Sequence, residues 1–394
     1  MPVGIRFSRS FLYALALAAF VRVIVAIATV FVPIPNEAGL PTSVLHLAPS
    51  SDLPVYQHAQ EAVYDSGFVS LVDAIADLYV GEPARHRQIL AAPMFPALLS
   101  LFDYKEGHTL PLAAFYVVLG ILVAALWLWW LDRQGLSQIW LLAFAILPHP
   151  LWFMINLGSD LVSALFVACI YLTFKNSVGI QRYAWSVLFV ALMLLTRPTG
   201  VSLLIFVVVS MVFLDHELSA RNRIILLVPY LIVFAPFLVF YLPYAAQFAN
   251  SSSRLTYFGY TQSDYLAGVF DVLPHWLNLL ASWLSLGAAK LLYLVGLRPT
   301  YGDAHWAIVL LRSAPGLLFL PGLVYLTVRG NVYDRWLTIL FLLPVLAGAS
   351  QDRYTLPLQP ILFIYGLVAY RRLGQLVARR SPRPGETFRM SQFR

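Results

Sequence analysis

The feature that most limits what this chain can become is its series of long apolar runs, near 11–32, 110–131, 137–155, 159–174, 224–243, 306–328, 336–350 and 354–370. A helix needs roughly 20 predominantly apolar residues to cross a hydrocarbon core. Inside that core the backbone must satisfy its own hydrogen bonds, which favours helices. A further stretch, 183–214, is apolar but broken at Thr196-Arg197-Pro198-Thr199-Gly200. Two short spans meeting at a Pro-Gly turn suit it better than one span with arginine at its centre. The pattern predicts an all-α polytopic membrane protein of about ten transmembrane helices. Composition agrees, since 11% of the chain is charged against about 25% in an average soluble domain. The first run lacks a small-residue cleavage site and reads as an uncleaved anchor.

With the N-terminus in the cytoplasm and the spans alternating, the inner loops collect Arg6, Arg9, Arg133, Lys175, Arg182, Arg221, Arg223, Arg329 and Arg335, and the tail adds Arg371, Arg372, Arg379, Arg380, Arg383, Arg389 and Arg394. Basic residues at helix ends favour the cytoplasmic side, so both termini are expected there. Two outer loops are long, 33–109 and 244–305, and long loops usually carry function. The expected organisation is a transmembrane core over 1–243 that includes the first outer loop. An outer loop with interfacial helices over 244–305, C-terminal transmembrane helices over 306–370 and a disordered basic cytoplasmic tail over 371–394 follow. Within 266–297, Trp276, Trp283, Lys290 and Tyr293 suggest amphipathic helices lying in the outer interface, with Lys290 snorkelling to water. Lysine occurs only at 105, 175 and 290, a bias toward arginine that points to a GC-rich bacterium, so a bacterial inner membrane is the expected site and the endoplasmic reticulum the alternative.

Several function classes drop out. The net charge of +7 comes mostly from arginines beside apolar runs, which serves orientation rather than nucleic-acid binding. Cys169 is the single cysteine and can form no intrachain disulfide. Phosphate-loop, dinucleotide and HExxH motifs are missing, and no metal site or cofactor is indicated.

What remains is a set of charged and polar residues on the expected outer face. Asp52 follows a loop and precedes helical spacing at Val55, Ala59, Ala62 and Val63, which suits an N-cap and also a general base. Tyr56 lies one turn further on. Ala92-Pro93-Met94-Phe95-Pro96-Ala97-Leu98-Leu99 is apolar but too short to span, and reads as a docked or re-entrant helix. His149 stands in Leu147-Pro148-His149-Pro150 at the outer end of a span, and Asp160 begins the next one in Gly158-Ser159-Asp160-Leu161. Arg197 has no acidic residue within ten positions, so its counter-charge must come from another segment or from a ligand. Arg353 and Tyr354 head the last span in Gln351-Asp352-Arg353-Tyr354. Guanidinium groups suit bidentate phosphate binding. A structural ion pair of Arg197 with Asp160 or Asp52 is the plainer alternative.

The order of these motifs resembles the GT-C glycosyltransferases. An acid in a long first outer loop, a proline-flanked stretch after it, a helix-start acid, the Leu195–Gly200 segment and a late Asp352-Arg353-Tyr354 all recur in that family's sequence. The resemblance implies a mannosyltransferase-like membrane enzyme. It would move a sugar, with inversion, from a polyprenyl- or dolichyl-phosphate donor to a glycan, lipid or protein acceptor outside the cytoplasm. On that expectation Asp52 is the base, Arg197 and Arg353 bind the donor phosphate, and Asp160, Tyr56, His149 and Tyr354 contact substrate. The chain departs from the family in having no second acid close to Asp52. A transporter or flippase, and a polymerase or ligase of lipid-linked sugars, are the alternatives.

Overall fold

The computed structural model describes residues 7–32, 34–35, 41–42, 94–102, 110–155, 158–197, 199–241, 256–297, 310, 313–347 and 352–379. Two antiparallel pairs, β1 (Ile34–Pro35) with β2 (Pro41–Thr42) and β3 (Thr256–Tyr257) with β4 (Tyr260–Thr261), are the sheet content among these residues. All else that is regular is helical. The first half holds α1 (Arg9–Phe31), α2 (Met94–Leu101), α3 (Leu110–Arg133), α4 (Gln138–Ala145), α5 (Pro148–Ile155), α6 (Ser159–Asn176) and α7 (Gly179–Thr196). Then come α8 (Gly200–Val209), which runs on into a π turn at Ser210–Leu214, and α9 (Ala220–Tyr241). The last part comprises α10 (Gln262–Ala267), α11 (His275–Leu294), α12 (Gly316–Arg329), α13 (Val332–Ala347), a 3-10 segment at Asp352–Leu358 and α14 (Gln359–Arg379).

Among the described residues, four helices are long and apolar enough to cross a membrane: α1, α3, α7 and α11. This corrects the expectation of about ten. Several apolar runs are not continuous helices. The run 137–155 divides into α4 and α5, of 8 residues each, at Leu147-Pro148, where proline supplies no backbone donor. The run 306–328 yields the 14-residue α12 and the run 336–350 the 16-residue α13, both short of the roughly 20 residues a span needs. Residues Asp352–Leu358 wind as a 3-10 segment, and α14 takes Arg371 and Arg372 into its second half. The inside–outside alternation was counted over spans that these helices do not provide. The expected localisation, a multi-pass protein of the bacterial inner membrane with cytoplasmic termini and an outer working face, falls with that count.

Two local expectations change as well. Residues 275–294 form one helix of 20 residues rather than a pair of interfacial ones. Lys290 does not snorkel: it is 4% exposed and donates to Leu346 O at 2.7 Å, with Nζ 5.7 Å from the centre of the Tyr257 ring. The lysine thereby supplies a donor to the C-terminal turn of α13, whose last carbonyls have no partner within their own helix.

The bundle is organised around α6. Its buried residues fall on all sides of the helix, from Ser159 and Asp160 at one end to Phe174 at the other, as expected of an element enclosed by neighbours. It packs against α3, α7 and the 3-10 segment, while α1 lies on α3 and α4 and α8 lies on α13. Ser8 joins the first layer: its hydroxyl caps α1 by accepting from Phe11 N at 3.0 Å and donates to Asp132 at 2.7 Å.

α12 and α14 pack through glycines. A Cβ on Gly322 would lie 2.2 Å from Leu362 O, and one on Gly366 would lie 2.4 Å from Leu318 O. Small residues allow such close backbone approach between helices in apolar surroundings. Gly322→Ala is expected to force the pair apart and to destabilise the protein by about 1–3 kcal/mol, the usual range for overpacking. Unfolding by a denaturing detergent, followed by circular dichroism, checks this against Gly374→Ala, a glycine with open space around it.

Candidate functional site

Three separate segments converge at the N-terminal end of α6. Asp160 sits in the first turn of that helix, where the helix dipole favours a carboxylate. The start of the helix is fixed from the side: Phe95 of α2 packs edge-on against Tyr116 of α3 at 6.5 Å, and Tyr116 donates to Gly158 O at 2.8 Å. Phe95 and Leu99, four residues apart, are both fully buried, so α2 is packed into the bundle.

Arg197 is delivered by the break between α7 and α8. The residue before a proline is pushed out of helical geometry, and Arg197, followed by Pro198, is extended at φ −153° and ψ 148°. Its backbone N–H still donates to Met193 O at 2.8 Å, so it ends α7 cleanly. The chain then doubles back so closely that a Cβ on Gly200 would meet Leu194 N at 2.7 Å. The Arg197 side chain pairs with the Asp160 carboxylate, both side chains being 11% exposed.

The third segment is the 3-10 stretch. Thr355 anchors it by donating to Leu294 O at 3.0 Å, and Leu356 and Leu358 are buried. This places the Tyr354 ring between two cations: the guanidinium carbons of Arg197 and Arg353 are each 5.1 Å from its centre. Arg353 also donates to the Tyr354 hydroxyl at 3.4 Å. Among the described side chains of this cluster there are two guanidinium groups and one carboxylate.

Of the site residues expected from sequence, the structure thus brings together Asp160, Arg197, Arg353 and Tyr354. Asp52 and Tyr56 lie outside the described residues. His149 belongs to the first turn of α5, and its side chain is outside them too. Trp152 of the same helix is core at 8% exposure.

Sequence reasoning missed the partners of other buried charges. At the C-terminal end of α6, about 27 Å away for an 18-residue helix, Lys175 pairs with Asp334 at 2.8 Å, and Tyr365 donates to Asp334 at 2.8 Å. Beside them Arg182 pairs with Asp215 at 3.2 Å, Tyr183 donates to Asp215 at 3.1 Å, and Arg182 also reaches the Tyr333 hydroxyl at 3.4 Å. Lys175 and Arg182 read as orientation charges from sequence. Asp215 and Asp334, each bordering an apolar run, were the signal that these cations have fixed partners. Arg22, 2% exposed within α1, donates to Gly120 O at 3.0 Å, Ala18 O at 3.0 Å and Ala145 O at 3.1 Å. Ala145 ends α4, so this arginine supplies a donor where Pro148 interrupts the helical ladder.

Comparison with protein-family models, with curated proteins and with solved structures finds no match for this chain. The family resemblance therefore rests on its motifs alone. Among the described residues no group of three or more His, Cys, Asp or Glu could hold a metal. The expected enzyme needs a carboxylate presented to an acceptor hydroxyl, set in a frame of about ten spans. The expected base, Asp52, lies outside the described residues, and among those residues four candidate spans stand in place of ten. The reading as a GT-C or mannosyl-type glycosyltransferase, a hexosyltransferase acting on a polyprenyl-phosphate sugar, is corrected accordingly. The transporter and polymerase alternatives relied on the same frame and go with it.

The ion pair itself gives a test. Asp160→Ala leaves a buried guanidinium without its carboxylate and is expected to cost about 3–5 kcal/mol. The double variant Asp160→Asn/Arg197→Gln removes both charges at nearly constant volume and is expected to recover most of that loss. A double-mutant cycle on detergent-induced unfolding measures the difference.

Proposed function

We propose that this protein binds the phosphate head of an amphiphilic ligand at the cluster of Asp160, Arg197, Tyr354 and Arg353. One observation carries the reading: two guanidinium groups share the Tyr354 ring, each 5.1 Å from its centre, beside a single carboxylate. The two guanidinium groups are brought to one ring from segments distant in the chain, which concentrates positive potential there. Arginine forks match phosphate oxygens two at a time. Tyr354 holds both cations through its ring face and so limits their freedom before any ligand arrives. Asp160 keeps Arg197 oriented, and Arg353 brings a second guanidinium to the same ring.

The apolar surroundings favour a ligand with a hydrocarbon portion. Exposed large apolar side chains cover much of the helical surface, among them Phe20, Ile27, Leu188, Leu195 and Leu231. Exposed apolar side chains in this number fit contact with lipid. Lipid phosphates are thus the ligand class, and a phosphomonoester on an alkyl chain is the simplest probe.

Binding of dodecyl phosphate to the purified full chain, measured by isothermal titration in a neutral detergent, is the test. Dodecanol and inorganic phosphate serve as comparisons. The expected result is saturable binding of dodecyl phosphate, with Arg353→Gln weakening it at least tenfold, about 1.4 kcal/mol for one lost charge-assisted contact. Because Arg353 is outside the Asp160–Arg197 pair, this variant keeps that pair intact. Equal binding of dodecanol, or unchanged affinity in Arg353→Gln, would sink the proposal and leave the cluster a structural clamp between α6, α7 and the 3-10 segment.

A further inference from the structure

A second basic feature lies away from that cluster. A cavity of about 400 Å³ opens between α12 and α14 and is lined by Tyr325, Arg329, Arg372, Gln375 and Leu376. The two helices touch backbone to backbone at Gly322 and Gly366, and the cavity begins where both continue into residues with long side chains. Its volume is within the range of pockets that take small molecules, roughly 300–1,000 Å³.

The flanks of the cavity are apolar and open. On α12, Leu317, Val324 and Val328 are 62%, 57% and 63% exposed, and their spacing of seven and four puts them on one face of the helix. On α14, Tyr370, Leu373 and Leu376 are exposed at spacings of three, with Arg371 and Arg372 exposed between them. The α12 stripe ends at Arg329 and the α14 stripe flanks Arg372, both beside the same cavity. That arrangement suits a molecule with a compact anionic head and hydrocarbon chains that run away from it.

We infer that the α12–α14 cavity binds the headgroup of an anionic phospholipid, with the phosphodiester between Arg329 and Arg372 and the acyl chains along the Val324–Val328 and Leu373–Leu376 stripes. Basic pockets between helices at a membrane surface are suited to such headgroups. Tyr325 and Gln375 add a hydroxyl and an amide as donors to phosphate or glycerol oxygens. The site is separate in residues from the Arg197–Arg353 cluster, and neither proposal needs the other.

The experiment uses the full chain in neutral detergent, titrated with phosphatidylglycerol or phosphatidylcholine, with thermal unfolding and native mass spectrometry as readouts. Phosphatidylglycerol is expected to raise the unfolding midpoint and to remain as a bound adduct, while phosphatidylcholine does neither. R329Q/R372Q is expected to weaken the phosphatidylglycerol effect about 30-fold, the loss of two surface charges. R329K/R372K keeps the charge and is expected to keep most of the effect, which separates binding from a folding defect. The R329Q/R372Q loss is expected to be the same in an R353Q background, where binding at the other cluster is weakened. Equal stabilisation by the two lipids, persistence of the preference in R329Q/R372Q, or reproduction of the shift by millimolar inorganic phosphate would each overturn the assignment.

Discussion

A charge held inside an apolar bundle must be answered by another group, and that requirement orders this structure. Asp160 is met by Arg197, Asp215 by Arg182 and Asp334 by Lys175. Arg22 and Lys290 are met by carbonyls at the ends of α4 and α13. Each contact joins segments distant in the chain, so the charges act as ties between helices whose apolar faces alone would pack with little preference. Buried pairs of this sort add little net stability against an apolar replacement, but losing one partner is expensive. Their weight falls on specifying which helix ends meet.

α6 shows how the two ends of the bundle differ. Its N-terminal end brings together a carboxylate and two guanidinium groups around Tyr354, while its C-terminal end balances Lys175 with Asp334 and Arg182 with Asp215. The balanced end has two bases, two acids and tyrosine hydroxyls that complete them, which is what a structural network requires. The N-terminal end instead sets two guanidinium groups on one ring. The proposed binding site lies at that end because of this difference.

The helical character of the chain was legible in its apolar runs, and the break at Arg197 followed from the proline after it. The number of spans was not. Hydropathy averages over prolines and glycines that divide a run into pieces, as at Leu147-Pro148, and it does not register that Asp352–Leu358 winds as a 3-10 segment. Within the site, Arg197 stood out because no acid lies near it in sequence, and Asp160 was named as one of two partners. The role of Tyr354 as a shared platform required the fold, since Arg197 and Tyr354 are far apart along the chain. Lys175 and Arg182 were legible only as charge at helix ends, because pairing with Asp334 and Asp215 depends on how α6, α7 and α13 are laid together.

Arg22 has a consequence for how the protein is made. Its acceptors other than Ala18 come 98 and 123 residues later in the chain, at Gly120 and Ala145. Until α3 and α4 are made, only Ala18 O of these three acceptors exists. The contacts that hold Arg22 in the bundle are therefore complete only once α4 has been synthesised. Assembly has a built-in order, in which the earliest segment is the one that waits.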